Sequence, residues 1–241
     1  DHAQRALKRT IGTGGAVLLG LGSIIGTGVF VGIAMATELA GSWVLVAIGI
    51  AMLTATCNGL SSAQLAAVFP VSGGTYEYGT RLLAPVAGFT AGWMFLCAKS
   101  ASAAAAALGA SAYLLHSIGG GHEHIVVPIA LLLLLLATGI VLAGLRASVM
   151  VTMSILTLAG IGLAVFLLAG LDDPSIEAST RPTPAPGAIP GAAALMFVAF
   201  TGYGRIATLG EEVRQPARSI PRAIIITIVC AGMLYMLVGW A

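Results

Sequence analysis

The 241-residue sequence is 58% hydrophobic and 8% charged with a mean hydropathy of +1.01, whereas roughly a quarter of a soluble domain is charged. The bilayer is therefore the expected solvent, and a formal net charge of +2 leaves no basic field that would attract nucleic acid. Cys57, Cys97 and Cys230 stand in apolar surroundings without a second Cys or His at ligand spacing and read as buried free thiols. The chain starts at Asp1 and stops at Ala241 within an apolar run, so both ends read as cut and the chain as a fragment that is not expected to transport by itself. The first apolar run lacks a small-residue cleavage site, so no cleavable signal is expected.

Apolar runs between charges and breakers predict about seven spans, near Ile11–Thr37, Ser42–Phe69, Leu82–Leu115, Ile125–Leu145, Ala147–Leu171, Gly191–Glu211 and Ile220–Ala241. The third exceeds the spanning minimum, which predicts tilt or a helical extension beyond the bilayer. Arg5, Lys8, Arg9, Arg81, Arg146, Arg214, Arg218 and Arg222 all fall in connections on one side, while the opposite connections hold Glu38, His122, Glu123, His124, Asp172, Asp173 and Glu177, with Arg181 as their strong base. Lys and Arg mark the cytoplasmic side, so the N-terminus is expected to be cytoplasmic. The connection from Asp172 to Pro190 contains Pro174, Pro182, Pro184, Pro186 and Pro190 and is expected to be an extended outer loop. His122-Glu123-His124 lies in a Gly-rich loop and is not taken as a metal site; no metal or cofactor is expected.

A membrane helix has irregular backbone only where protein or a water-filled cavity satisfies the freed polar groups. The first span carries glycine at four of the nine positions from Gly20 to Gly28, a stretch that unwinds at low cost. If it does, a half-helix starts near Thr27 with unpaired N–H groups and a positive dipole end suited to a carboxylate, and the preceding half-helix leaves carbonyls suited to an ammonium group. Together the two ends match a zwitterionic amino acid. The alternative is that these glycines serve close helix packing. The G-x-G-x-x-G dinucleotide fingerprint is absent at its required spacing, and no strand or ribose-binding acid fits a continuous apolar span. The sixth span is interrupted by Thr201-Gly202-Tyr203-Gly204-Arg205. Transporters built on inverted repeats place broken helices at corresponding positions of both halves, with substrate between them. Five spans separate the two breaks, and an odd number of spans inverts the second repeat. The division expected is residues 1–171 as the first inverted repeat, 172–190 as an extracellular loop, and 191–241 as the start of the second repeat.

These residues resemble the amino acid-polyamine-organocation (APC) superfamily. Gly22-Ser23-Ile24-Ile25-Gly26-Thr27-Gly28-Val29-Phe30 is similar to its first-helix motif, and Pro70-Val71-Ser72-Gly73-Gly74-Thr75-Tyr76-Glu77-Tyr78 to its first cytoplasmic loop. Phe200-Thr201-Gly202-Tyr203, Ile206 to Glu212 and Pro216 to Pro221 are similar to its sixth helix and the loop after it. The resemblance implies an all-α integral membrane protein of leucine-transporter-type five-plus-five inverted-repeat fold, with helices one to seven of twelve present and helices one and six discontinuous. It implies secondary active transport of L-amino acids or related amines across the plasma membrane by alternating access, proton-coupled or by exchange. The substrate-binding residues implied are Ile24, Ile25, Gly26, Thr27, Gly28, Phe200, Thr201, Gly202, Tyr203 and Gly204. The amides of Thr27 and Gly28 would hold the carboxylate, the carbonyls of Ile24 and Phe200 the ammonium group, and Thr201 to Gly204 would border the side-chain pocket. Many relatives have an acid after the Gly-aromatic pair of helix six, where this chain has Gly204 and Arg205, so recognition of basic substrates through that acid does not carry over.

Lys99 in the third span and Arg205 in the break of the sixth are charges within apolar runs, each costing about 2.5–3.5 kcal/mol at mid-bilayer without a partner or water. Lys99 reads either as a coupling group, titrating protons or replacing a coupling ion, or as half of a structural ion pair. The coupling lysine that some relatives carry in the fifth helix has no counterpart between Ala147 and Leu171. Arg205 stays protonated and suits a gate or a carboxylate clamp. Glu211 is either its partner or, with Glu212, a helix cap. Gly73-Gly74 is not followed by Gly-Lys-Ser or Gly-Lys-Thr, so ATP-driven transport lacks its phosphate lysine. The competing function is a seven-span receptor or sensor, against which stand a last span without lysine and the inside N-terminus. A membrane enzyme lacks an intramembrane His cluster, paired aspartates or a Ser/His arrangement.

Overall fold

The computed structural model describes residues 9, 11–69, 71, 73–119, 123–172 and 187–240. Arg5, Lys8, Pro70, Ser72, His122 and most of the proline-rich connection, from Asp173 to Pro186, lie outside the described residues. Helix α1 spans Thr13–Ile24 and stops where Ile25 becomes extended, at φ −74° and ψ 98°. The chain turns helical again at Thr27, makes one wide π turn at Gly28–Gly32, and continues as α2, Ile33–Ala40. A 3-10 turn at Gly41–Trp43 leads into α3, Val44–Val68.

This near-continuous run of 56 residues, Thr13–Val68, would be about 84 Å long if straight, more than twice the ~30 Å hydrocarbon core. Packing shows that it doubles back. Along α10 (Pro216–Trp240), Gly20 lies against Thr227 and Gly28 against Tyr235, so α1 and α10 run the same way. Gly59 instead lies against Ile224 and Ile228, Gly232 against Met52, and Gly239 against Leu45 and Ile48, so α3 runs oppositely. The reversal falls at Gly41, whose φ of +54° is a conformation that glycine adopts without the Cβ penalty of other residues.

After α3, Gly73 and Gly74 turn the chain with φ of +126° and +52° into a short amphipathic helix α4, Thr75–Leu82, on which Arg81 pairs with Glu77 at 2.6 Å. The expected third span therefore starts later, at Pro85, where a proline suits a first helical position, and α5 runs to Ser117. A 3-10 turn, Glu123–Ile125, precedes α6, Val126–Leu142, and α7 spans Leu145–Asp172. Helix α8, Ala188–Phe200, takes Pro190 into its first turn, where the missing N–H has no partner to lose. One 3-10 turn, Thr201–Tyr203, joins it to α9, Gly204–Ala207. With the first run counted as two, the described residues hold seven apolar helical stretches, of which Val126–Leu142 is the shortest. The protein is an all-helical, multi-pass integral membrane protein.

Contacts divide the chain into two compact units, residues 1–92 with 173–241, and residues 93–172. In the first, α3 buries Ala47, Ala51, Ala55, Gly59 and Ala63 at every fourth position, and α10 buries Ala223, Thr227, Ala231, Tyr235 and Gly239 at the same spacing. Such stripes let helix backbones approach closely, which replaces the hydrophobic drive that lipid removes. In the second unit, buried positions are sparse: Ala107, Ser111 and Leu115 on α5, Ala130 on α6 and Leu163 on α7. Cys57, Cys97 and Cys230 are exposed, contrary to the buried thiols expected, because an apolar flank in a membrane helix is equally suited to a lipid-facing position.

The candidate site where two helix interruptions meet

The interruption after α1 arises from the local sequence. Gly26 and Gly28 flank Thr27, so the chain leaves helical geometry at Ile25 with little side-chain resistance. The ladder of α1 closes with the Ile25 N–H on the Leu21 carbonyl at 2.7 Å, and the Val29 and Phe30 N–H groups both donate to the Gly26 carbonyl at 3.2 Å. At the end of α8 the interruption is tighter. Residues 201–203 wind into a 3-10 turn with right-handed dihedrals, and the Thr201 hydroxyl donates back to the Val198 carbonyl at 2.6 Å. Helix ends at Ala207, before the Glu211 expected, and residues 208–215 are irregular.

The two interruptions lie directly against each other. A Cβ on Gly202 would sit 2.6 Å from Ile24 Cγ1 and 2.7 Å from the Ser23 carbonyl oxygen, and one on Gly28 would sit 2.7 Å from Ala199 Cβ. Gly202 is therefore glycine because it lies on the Ser23 backbone, and Gly28 because the Tyr235 and Ala199 side chains leave no room for a Cβ. Gly26 and Gly204 differ: nothing lies within 4 Å of where their Cβ would be. The interface is thus closed at two glycines and open beside the other two.

Among the residues singled out from sequence, Ile24, Gly28, Phe200, Gly202 and Tyr203 are buried, and Ile25, Gly26, Thr27, Thr201 and Gly204 are partly buried, all in the first unit. Tyr203 lies over Gly59 of α3, and its hydroxyl shares hydrogen bonds with Asn58 and Ser62. Arg205 is exposed and Glu211 partly buried. Lys99 belongs to the second unit, exposed on α5 with its ammonium 5.5 Å from the centre of the Phe95 ring. Sequence reading passed over Tyr235, although it is fully buried, donates its hydroxyl to the Ile24 carbonyl at 3.0 Å, and meets Phe200 edge-on with ring centres 4.9 Å apart. It also passed over Asn58, for which a polar amide inside an apolar span was the available signal.

On the basic side of the first unit, the segment before α1 is stitched to the irregular stretch after α9. The Ile11 N–H donates to the Glu212 carbonyl at 3.1 Å, the Arg214 N–H donates to the Ile11 carbonyl at 2.8 Å, and Arg214 Nε donates to the Arg9 carbonyl at 3.3 Å. The loop before α4 reaches the same end, with Gly74 beside Thr208.

The amino acid permease family matches residues 15–240 of the chain. This chain belongs to the amino acid permease family. An uncharacterized transporter of Mycobacterium tuberculosis is 40% identical over 238 residues, covering 98% of this permease chain and 52% of the relative. The branched-chain amino acid permease BcaP of Bacillus subtilis is 28% identical over 255 residues, covering 98% of this chain and 55% of the relative. Cationic amino acid transporter 4 of Homo sapiens is 31% identical over 259 residues, covering 98% and 41%. The chain spans about half the length of the curated bacterial relatives it matches. Family membership accounts for the restrained charge, the apolar helices and the glycine-rich first span together.

Proposed function

We propose that this permease chain forms the substrate-holding part of a secondary transporter that moves L-amino acids or related amines across the plasma membrane, with its N-terminus cytoplasmic. The observation that carries the reading is the apposition of the two interruptions, Gly202 on Ser23 and Ile24 and Gly28 on Ala199, with open space beside Gly26 and Gly204. In this reading the interruptions are the discontinuous first and sixth helices of a leucine-transporter-type five-plus-five inverted repeat. The antiparallel course of α1–α2 and α8–α9, along which Gly20 meets Ile206, Gly28 meets Ala199 and Gly32 approaches Met196, supports that inversion. The stitch that joins Arg9 and Arg214 at one end supports a shared basic, cytoplasmic side.

Substrate binding then follows from helix-end chemistry. The N–H groups of Thr27 and Gly28, at the start of the resumed helix, receive the carboxylate on the positive end of its dipole. The carbonyls of Ile24 and Phe200 receive the ammonium group. A carbonyl has two lone pairs, so Ile24 serves a substrate while it also accepts from Tyr235. Thr201 and Gly204 border the side-chain pocket, Arg205 and Glu211 act at the gate, and Lys99 couples protons to transport.

The test is uptake of a panel of radiolabelled amino acids and polyamines by the full-length protein in proteoliposomes, with and without a pH gradient. Saturable uptake is expected for the wild type. Gly26→Leu is expected to abolish it while leaving thermal stability within a few degrees, because the added side chain enters open space at a backbone whose φ is not left-handed. Undiminished uptake by Gly26→Leu would place the substrate elsewhere. Lys99→Ala is expected to remove the pH dependence of uptake, and an unaltered pH profile would end its coupling role.

A further inference from the structure

We infer that Tyr235 is a positioning residue for the substrate site, an inference that rests on the proposed amino acid site and adds to it a residue of the seventh span. Its hydroxyl donates to the Ile24 carbonyl at 3.0 Å, at the last residue of α1 before the chain turns extended. The same hydroxyl lies where a Cβ on Gly28 would fall, so it sits within the interruption, between its two helical ends. Its ring meets Phe200, the last residue of α8, edge-on at 4.9 Å. One buried side chain therefore touches the end of α1, the resumed helix at Gly28 and the end of α8.

The chemistry of that contact is directional. A carbonyl released from its helix ladder is free to point along several directions, and in hydrocarbon an unmade bond is costly. The phenol occupies one lone pair of Ile24 and so sets the direction of the other, the one that an ammonium group would use. Hydrogen bonding fixes the acceptor in place before substrate arrives, and pre-organisation of this kind appears as affinity. The edge-to-face ring contact links that acceptor to the α8 end, so the two carbonyls proposed to receive the ammonium group, Ile24 and Phe200, are held in register by one residue. Phenylalanine at 235 would keep the ring contact and lose only the bond to Ile24.

The experiment compares wild type, Tyr235→Phe and Tyr235→Leu of the full-length protein in proteoliposomes, using the amino acid that the panel identifies. Tyr235→Phe is expected to raise KM about three- to tenfold with kcat within about twofold, as loss of one neutral hydrogen bond to the acceptor would, and to leave the melting temperature within a few degrees. Tyr235→Leu, which loses the ring as well, is expected to raise KM further. An unchanged KM in Tyr235→Phe, or a loss of kcat and melting temperature together with KM, overturns the inference. A second readout needs no substrate: Thr27→Cys in a background with Cys57, Cys97 and Cys230 replaced by alanine, labelled by a small maleimide. Adding Tyr235→Phe is expected to speed labelling at least threefold, and an unchanged rate overturns the positioning role. Absence of uptake by the wild type across the whole panel refutes the amino acid reading alone, while the labelling rate still decides the role of Tyr235.

Discussion

The first unit closes off Ile24, Met196, Phe200 and Tyr235 completely, whereas in the second unit Leu135, Leu158 and Leu168 are 69%, 71% and 63% exposed. Both units are built from apolar helices, so apolarity does not separate them. What separates them is whether the small residues of a helix are covered by another helix. In water an exposed leucine forfeits about 25 cal/mol for each Å² left unburied, but lipid solvates it as well as a protein interior does, and association is left to close packing and polar contacts. The first unit meets that condition with alanine and glycine stripes, the Tyr235 and Tyr203 hydroxyls, Gly202 on the Ser23 backbone, and Gly28 against the side chains of Tyr235 and Ala199. The second unit carries small residues too, from Ala98 to Ala112 on α5, but most of them are exposed, and its leucine-rich flanks are suited to lipid.

Glycine replacement gives this comparison its largest expected effect. Gly202→Leu places a branched side chain into the Ser23 carbonyl and Ile24, a backbone obstacle that no rotamer relieves, and is expected to cost at least the ~1–3 kcal/mol of core overpacking. Gly160→Leu on α7 meets nothing within 4 Å and is expected to be neutral or to gain up to about 1 kcal/mol of helix propensity. Monodispersity and melting temperature in detergent measure both. Equal tolerance at the two positions would show that the glycines of the first unit are not in direct backbone contact.

A smaller effect concerns buried polar groups. Ser111 in the second unit is fully buried and donates to the Leu108 carbonyl at 2.9 Å. The buried Tyr78 hydroxyl on α4 has no partner among the described residues, and its ring lies 6.4 Å from that of Phe69. Tyr78→Phe is therefore expected to be neutral or stabilising by about 1 kcal/mol, and Ser111→Ala mildly destabilising. Burial also pushes the Tyr78 phenol above its ordinary 10.0. Below pH 10 folded and unfolded states both hold the proton, and Tyr78 adds no pH dependence. Above it the unfolded state releases the proton first, so stability falls as pH rises, and Tyr78→Phe is expected to remove that part of the alkaline loss in a melting-temperature series. An identical alkaline slope in the variant would mean that the phenol is hydrated.

The seven apolar stretches were legible because they rest on composition, and the end of α1 at Ile24 because it rests on the backbone freedom of the glycines around it, both of which act locally. The amphipathic helix α4 was read as part of the first cytoplasmic loop, because its polar and charged residues up to Arg81 separate two apolar runs and eight residues are too few to cross a bilayer. Tyr235 and the exposed thiols were not legible for one reason: within a membrane span, a residue facing protein and one facing lipid are both apolar. A tyrosine whose partner is the backbone of a helix 211 residues away leaves no pattern of its own. Asn58 came nearer to being readable, since an amide in an apolar run needs a partner, but nothing in the sequence points to Tyr203 as that partner.

The smallest expected effect tests where backbone strain is placed. In the second unit the described positive φ angles belong to Gly119 and Gly144, at 114° and 113°, whereas in the first Gln215 takes a φ of 51°. Gln215 starts α10 just before Pro216, and its carbonyl accepts from the N–H groups of Arg218 and Ser219 at 3.0 and 2.9 Å. Those bonds use only its backbone, so glycine would keep them and remove the Cβ that a left-handed conformation crowds. Offsetting this, glycine loosens the unfolded chain. The net gain expected for Gln215→Gly is at most about 0.5–1 kcal/mol, or a few degrees of melting temperature for a chain of this size. Gly144→Ala, which adds a Cβ at a φ of 113° that side chains rarely adopt, should move the other way by at least as much. Two shifts of the same sign would show that the turn into α10 is held by Gln215's side chain and not by its carbonyl.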